Sequence, residues 1–129
     1  MKWLVPAMLA LVALIHLAPL AGVLGVARME AAYGVEIAGP DLAVLMRHRA
    51  VLFGLLGGFM LLAIFVRALQ PWALAMALLA AGAFVLLAWA TPGHNGNLAK
   101  VALVDVAAVV FALVGLGAWW LQRGTAAGA

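Results

Sequence analysis

The chain has 129 residues, of which 70% are hydrophobic and 9% charged, and its mean hydropathy is +1.26. That leaves too little polar surface to cover a soluble globule of this size, so the chain belongs in lipid. Its formal charge of +3 arises from basic residues scattered singly rather than in a nucleic-acid-binding stripe, and the absence of cysteine excludes thiol redox chemistry and thiolate metal sites.

Four apolar stretches, Trp3 to Val26, Ala50 to Val66, Trp72 to Ala90 and Val101 to Leu121, fall within the roughly 17 to 25 residues that a membrane crossing needs, the second nearest the lower limit. The expected fold is all-α: one integral membrane domain over residues 1–129, a four-helix antiparallel bundle with spans near 3–26, 42–67, 72–90 and 98–121. The first stretch follows Met1-Lys2 and has a cleavage-like Gly25-Val26-Ala27, but it is too long for a signal peptide and is expected to be a span. Pro19 predicts a kink one turn beyond His16. Residues 28–40 read as the longest connection, and Asp41 after Pro40 reads as the N-cap of the second span.

Gln70-Pro71 leaves hardly any linker between the second and third spans, which forces a hairpin. Thr91 to Asn97 is a turn-rich polar loop, and the tail from Gln122 is expected to fray. Four crossings place Trp3, Trp72, Trp119 and Trp120 at one membrane face, here side A, and Trp89 at the other, side B. Side A carries Lys2, Arg67 and Arg123; side B carries Arg28, Arg47, Arg49 and Lys100. If both Arg47 and Arg49 turn inward, the count favours side A, and with it both termini, as cytoplasmic.

Ala50, Gly54 and Gly58 recur every fourth residue and predict close helix packing, within one bundle or across a dimer. Ala102, Asp105, Ala108 and Ala112 share a face of the last span, which points Asp105 into the bundle.

Ionisable groups in the hydrocarbon layer face protein interiors or cavities, which singles out His16, the run Arg47-His48-Arg49, and Asp105. Helical rise puts His16 about 20 Å from Trp3, and Asp105 about 21 Å from Trp119, so both lie at one depth. Arg49 lies about 27 Å from Arg67, near the side B boundary, with a side chain long enough to reach inward. Each residue also has a purely structural reading. The arginines anchor a span end, His16 bonds a carbonyl freed by Pro19, and Asp105 pairs with Arg49 to fix helix register.

Functionally, the cluster suits the polar head of a lipid-like ligand, such as an isoprenoid, sterol or quinone, with Tyr33, Phe53 and Trp89 as wall. The expected role is a small-ligand-binding or accessory membrane subunit, with the bilayer and a homodimer or larger complex as partners and no nucleic acid. The alternatives are a membrane enzyme acting on a lipid-like substrate, a proton relay through Asp105 and His16, and a haem or metal site on His16, His48 and His94. No cofactor follows from the residues. Thr91-Pro92-Gly93-His94 matches the T-x-G-H core with which phosphopantetheine adenylyltransferases bind phosphate, but it lies between two membrane helices rather than in a strand-to-helix turn.

His16 with Pro19-Leu20, Tyr33-Gly34, Pro40-Asp41-Leu42, Leu45 to Leu52 and Asp105 together resemble small bacterial four-helix membrane proteins of the DoxX-like type. The likeness covers nearly the whole chain and is most specific from Met46 to Phe53. It implies the architecture and a bacterial inner membrane, and it supplies no catalytic residues. Some similar sequences bear the name phosphopantetheine adenylyltransferase, which the chemistry of this chain does not support.

Overall fold

The computed structural model describes the backbone of residues 2–127 and the side chains of residues 2–124. Its helices are α1 (Leu4–Leu17), α2 (Val26–Tyr33), α3 (Gly39–Phe65), α4 (Gln70–Ala90) and α5 (Gly96–Ala127), and no strand occurs among the described residues. Four segments are long and apolar enough to cross a membrane: Leu4–Leu24, Gly39–Phe65, Arg67–Ala90 and Gly96–Gly124. Only 22% to 28% of each span is buried inside the bundle, so leucines such as Leu14, Leu55, Leu79 and Leu103 face outward, where hydrocarbon must cover them. The chain is an all-α integral membrane protein.

The prolines mark where regular helix begins or changes. Pro40 and Pro71 fall in the first turns of α3 and α4, where a missing N–H removes no intrahelical bond. Pro19 lies inside the first span, and there the α-helix stops at Leu17 and continues as a 3-10 segment, Ala18–Leu24. The expected kink is thus a change of helix type, which answers the loss of the bond from residue 19 to the carbonyl of Ile15.

Three further details depart from the sequence reading. The connection at 28–40 contains α2, a two-turn helix closed by Gly34 at φ 63°. Asp41 lies in the first turn of α3, whose N-cap is Ala38 with no side-chain bond. The tail from Gln122 continues α5 as far as Ala127 instead of fraying there, and the last two residues of the expected tail lie outside the described residues.

In the bundle α1 packs against α3 and α5, and α4 packs against α5 and α3. The spans therefore form a ring in which α1 and α4 also touch across one diagonal, whereas α3 and α5 occupy the other with no close backbone approach. Small residues fill the middle of the bundle. Ala73, Ala77 and Ala81 of α4 are buried, as are Ala108 and Ala112 of α5, around Leu9, Met60 and Leu74. A methyl on Gly115 would lie 2.7 Å from Leu74 Cδ2, so that glycine sets how closely α5 approaches α4.

The small-residue face of α3 runs through Ala50, Gly54 and Gly57 rather than Gly58. A Cβ on Gly54 would meet Leu20 at 2.5 Å and one on Gly57 would meet Leu17 at 2.7 Å, whereas nothing lies within 4 Å of Gly58. At 3.6 residues per turn, positions 50, 54 and 57 stay in one narrow stripe while position 58 rotates away. The first span fills this stripe, so Ala50 and Gly54 serve packing within the bundle.

Candidate functional site

The void left by the separation of α3 and α5 opens at side B as a cavity of about 460 Å³. Its walls come from four directions: Ile15, Ala18 and Pro19 of the first span; Ala31, Ala32 and Tyr33 of α2; Arg49 and Phe53 of α3; and Asn97, Lys100, Val101, Val104 and Asp105 of α5. α2 thus roofs a space that the four spans alone would leave open.

A network of amide bonds holds that roof in place. Asn95 caps α5 through Oδ1, which accepts from Leu98 N at 2.9 Å, and its Nδ2 donates to the carbonyls of Tyr33 and Gly34 at 3.0 and 2.9 Å. Asn97 Nδ2 donates to Ala31 O at 3.3 Å. Glu30 accepts from Ile37 N at 2.8 Å, which closes the loop after α2. Underneath, Met29, Tyr33 and Ile37 form a small core of their own with Val26, Leu98 and Val101 packed on it.

Within the cavity Arg49 and Asp105 face one another from the two helices whose backbones make no close approach. The Arg49 guanidinium lies 5.0 Å from the ring centres of both Tyr33 and Phe53 and 5.8 Å from that of Phe84. Three π faces from α2, α3 and α4 therefore stabilise a cation that enters the membrane layer. Asp105 is only 9% exposed, on the inward face that the alanine stripe implied. No hydrogen bond or ion pair to its carboxylate forms among the described residues, so the two charges share a cavity without closing into the expected register-fixing pair.

His16 is 1% exposed and stands behind the cavity wall, its ring centre 5.8 Å from that of Phe53. Its Nδ1 lies 2.8 Å from Val12 O, one turn back in its own helix, and not at the carbonyl of Ile15 that Pro19 frees. The Nε2 atom is buried without a hydrogen-bond partner. His16, Phe53 and Arg49 consequently form successive layers, with Phe53 and Arg49 lining the cavity and His16 behind them.

The other sequence candidates lie elsewhere. Arg47 and His48 are exposed on α3 and do not line the cavity, because a helical step of about 100° per residue turns them from the face that carries Arg49. With Arg47 outside, the condition that favoured side A as cytoplasmic is not met. Trp89 is 83% exposed and forms no wall; Phe84, one and a half turns earlier, supplies the ring. His94 is exposed, with Nδ1 3.0 Å from Thr91 O in its own turn. The buried His16 and the exposed His48 and His94 are not brought together, and no group of three potential metal ligands forms among the described residues.

Lys100, Asn97 and the α2 backbone were not expected at the site. Asparagines just before an apolar run carried a signal, since Asn is a strong N-cap, whereas nothing local predicts that the same side chain reaches α2. Compared with protein-family models, curated proteins and solved structures, the chain has no match.

Proposed function

We propose that this protein binds an amphipathic small molecule, holding its polar head in the side B cavity while its apolar part runs out between the spans. The observation that carries this reading is the opposed, unclosed pair Arg49 and Asp105 in a cavity whose remaining wall is apolar and aromatic apart from Asn97 and Lys100. Ligand sites combine an apolar lining with a few convergent polar groups. Arg49 and Lys100 offer donors to a carbonyl oxygen and Asp105 offers an acceptor to a hydroxyl, which suits a quinone or sterol type of head on an isoprenoid body. The likeness of Met46 to Phe53 to DoxX-like membrane proteins is consistent with a small binding or accessory subunit of a bacterial inner membrane. Helix α1 begins and helix α5 ends at side A, and we assign that face to the cytoplasm because Lys2, Arg67 and Arg123, with every acidic residue of the sequence in the other half, would meet an anionic leaflet.

A photoreactive quinone with a short isoprenoid tail tests the binding reading. It is expected to label peptides from α2, the first half of α3 and the first half of α5, and labelling spread evenly over the outward leucines would contradict it. A second reading, an enzyme on a lipid-like substrate, rests on Asp105 itself. A buried carboxylate with no protein donor attached is available to exchange a proton with a bound hydroxyl. In that case Asp105→Asn keeps the ligand and abolishes turnover.

A further inference from the structure

At the opposite face the bundle carries a second feature that the side B reading does not use. The acidic residues of the chain, Glu30, Glu36, Asp41 and Asp105, all lie on α2, its following loop, the first turn of α3 and the side B cavity. They match in number the basic residues of that half, Arg28, Arg47, Arg49 and Lys100. Lys2, Arg67 and Arg123 at side A have no such counterpart, so the whole formal charge of +3 resides there.

This charge borders a cleft. Between the start of α4 and the end of α5 lies a space of about 640 Å³ walled by Arg67, Trp72, Leu116, Trp119, Trp120 and Arg123. The Arg123 guanidinium sits 4.8 Å from the Trp119 ring centre, and Trp119 meets Trp120 edge-on at 5.7 Å. Stacking orders the cation while leaving it exposed, as Arg67 is. Trp72 and Trp120 are also largely exposed, at the depth where indoles sit among lipid head groups. Arg67 borders a smaller neighbouring space of about 260 Å³ that Lys2 and Trp3 also line.

We propose that this cleft binds an anionic glycerophospholipid of the surrounding bilayer. Its phosphate lies between the guanidinium groups of Arg67 and Arg123, its glycerol lies against Trp72 and Trp120, and its acyl chain descends along Leu116. Guanidinium recognises phosphate in two-pronged fashion, and basic pockets between membrane helices hold anionic head groups. A zwitterionic lipid brings an ammonium group that Arg67 and Arg123 repel, which gives the site its selectivity.

Quenching of tryptophan fluorescence by lipids brominated on the acyl chain reads the site in mixed detergent micelles once Trp3 and Trp89, which are exposed outside the cleft, are replaced by Phe. Brominated phosphatidylglycerol is expected to quench at a lower mole fraction than brominated phosphatidylcholine, and high salt is expected to erase the difference. Basic side chains near a membrane surface contribute about 1 kcal/mol each, so the double variant Arg67→Gln/Arg123→Gln raises the half-quenching mole fraction about thirty-fold. Arg47→Gln at side B leaves the curve unchanged, and Arg67→Lys/Arg123→Lys keeps a preference for the anionic lipid. Equal quenching by the two lipids in the protein with both arginines intact, or an unshifted curve in a folded double Gln variant, overturns the proposal. So does displacement of the lipid by soluble glycerol phosphate, which would assign the cleft to a free phosphate instead.

Discussion

Arg49 and Asp105 oppose each other across the side B cavity from α3 and α5, the diagonal pair of helices that make no close backbone approach. Because the guanidinium rests on Tyr33, Phe53 and Phe84, the cavity stays open between two opposite charges. A carboxylate held in this way contributes little to packing. Asp105→Leu is therefore expected to leave helical content and membrane insertion intact, to lower thermal stability by no more than about 1 kcal/mol, and to abolish ligand retention. Circular dichroism and lipid extracts of the purified variant check both halves. A large loss of stability would make the aspartate a structural residue.

Arg49→Lys is expected to behave as a loss of function despite its conserved charge. An ammonium lacks the planar guanidinium that stacks on several rings at once, and each such contact is worth about 0.5 to 2 kcal/mol. Ligand affinity should fall about tenfold or more. Phe84→Leu should reproduce part of that loss from a residue outside the cavity, and titration of the photoreactive quinone compares them.

The glycines of α3 give a paired test of packing. Gly57→Ala drives a methyl to within 2.7 Å of Leu17 Cγ and 3.1 Å of its backbone nitrogen, which should destabilise the bundle by about 1 to 3 kcal/mol. Gly58→Ala meets nothing within 4 Å and should be neutral, or slightly stabilising through helix propensity. Thermal unfolding in one detergent ranks the two, and a reversed order would contradict the packing of the first span on α3.

Asn95 separates two roles that Asp and Ala pull apart. Asn95→Asp keeps the acceptor for Leu98 N and removes the donors to Tyr33 and Gly34, so α5 should remain capped while amide exchange in α2 accelerates. Asn95→Ala removes both and should cost about 1 to 3 kcal/mol. Protection of α2 that is equal in all three proteins would show that the roof does not depend on this side chain.

Length and hydropathy made the four spans readable, since the bilayer sets a single scale for them. The inward face of Asp105 was equally legible from the alanines on its stripe. What escaped was set by rotation and by distant contacts. Whether Arg47 or Arg49 turns inward depends on which face of α3 meets the first span, and that in turn rests on Gly54 and Gly57 receiving Leu20 and Leu17. Periodic spacing of four suggested Gly58, whereas a stripe on a 3.6-residue helix passes to Gly57. The roof helix α2 has a weak local signature, because its place is fixed by Asn95 and Asn97, more than 60 residues further along the chain. Phe84 was likewise hidden in a uniformly apolar span, while Trp89 was conspicuous and faces outward.

The most direct test of the central claim is native mass spectrometry of the protein released from bacterial membranes, unaltered and as Asp105→Asn and Arg49→Lys. A bound mass of lipid-like size on the unaltered protein, reduced or lost in Arg49→Lys and in Asp105→Asn but kept in an Arg47→Gln control, is the predicted result. A bare protein in every case, or a bound mass indifferent to both cavity residues, would contradict the assignment of the side B cavity as a ligand site.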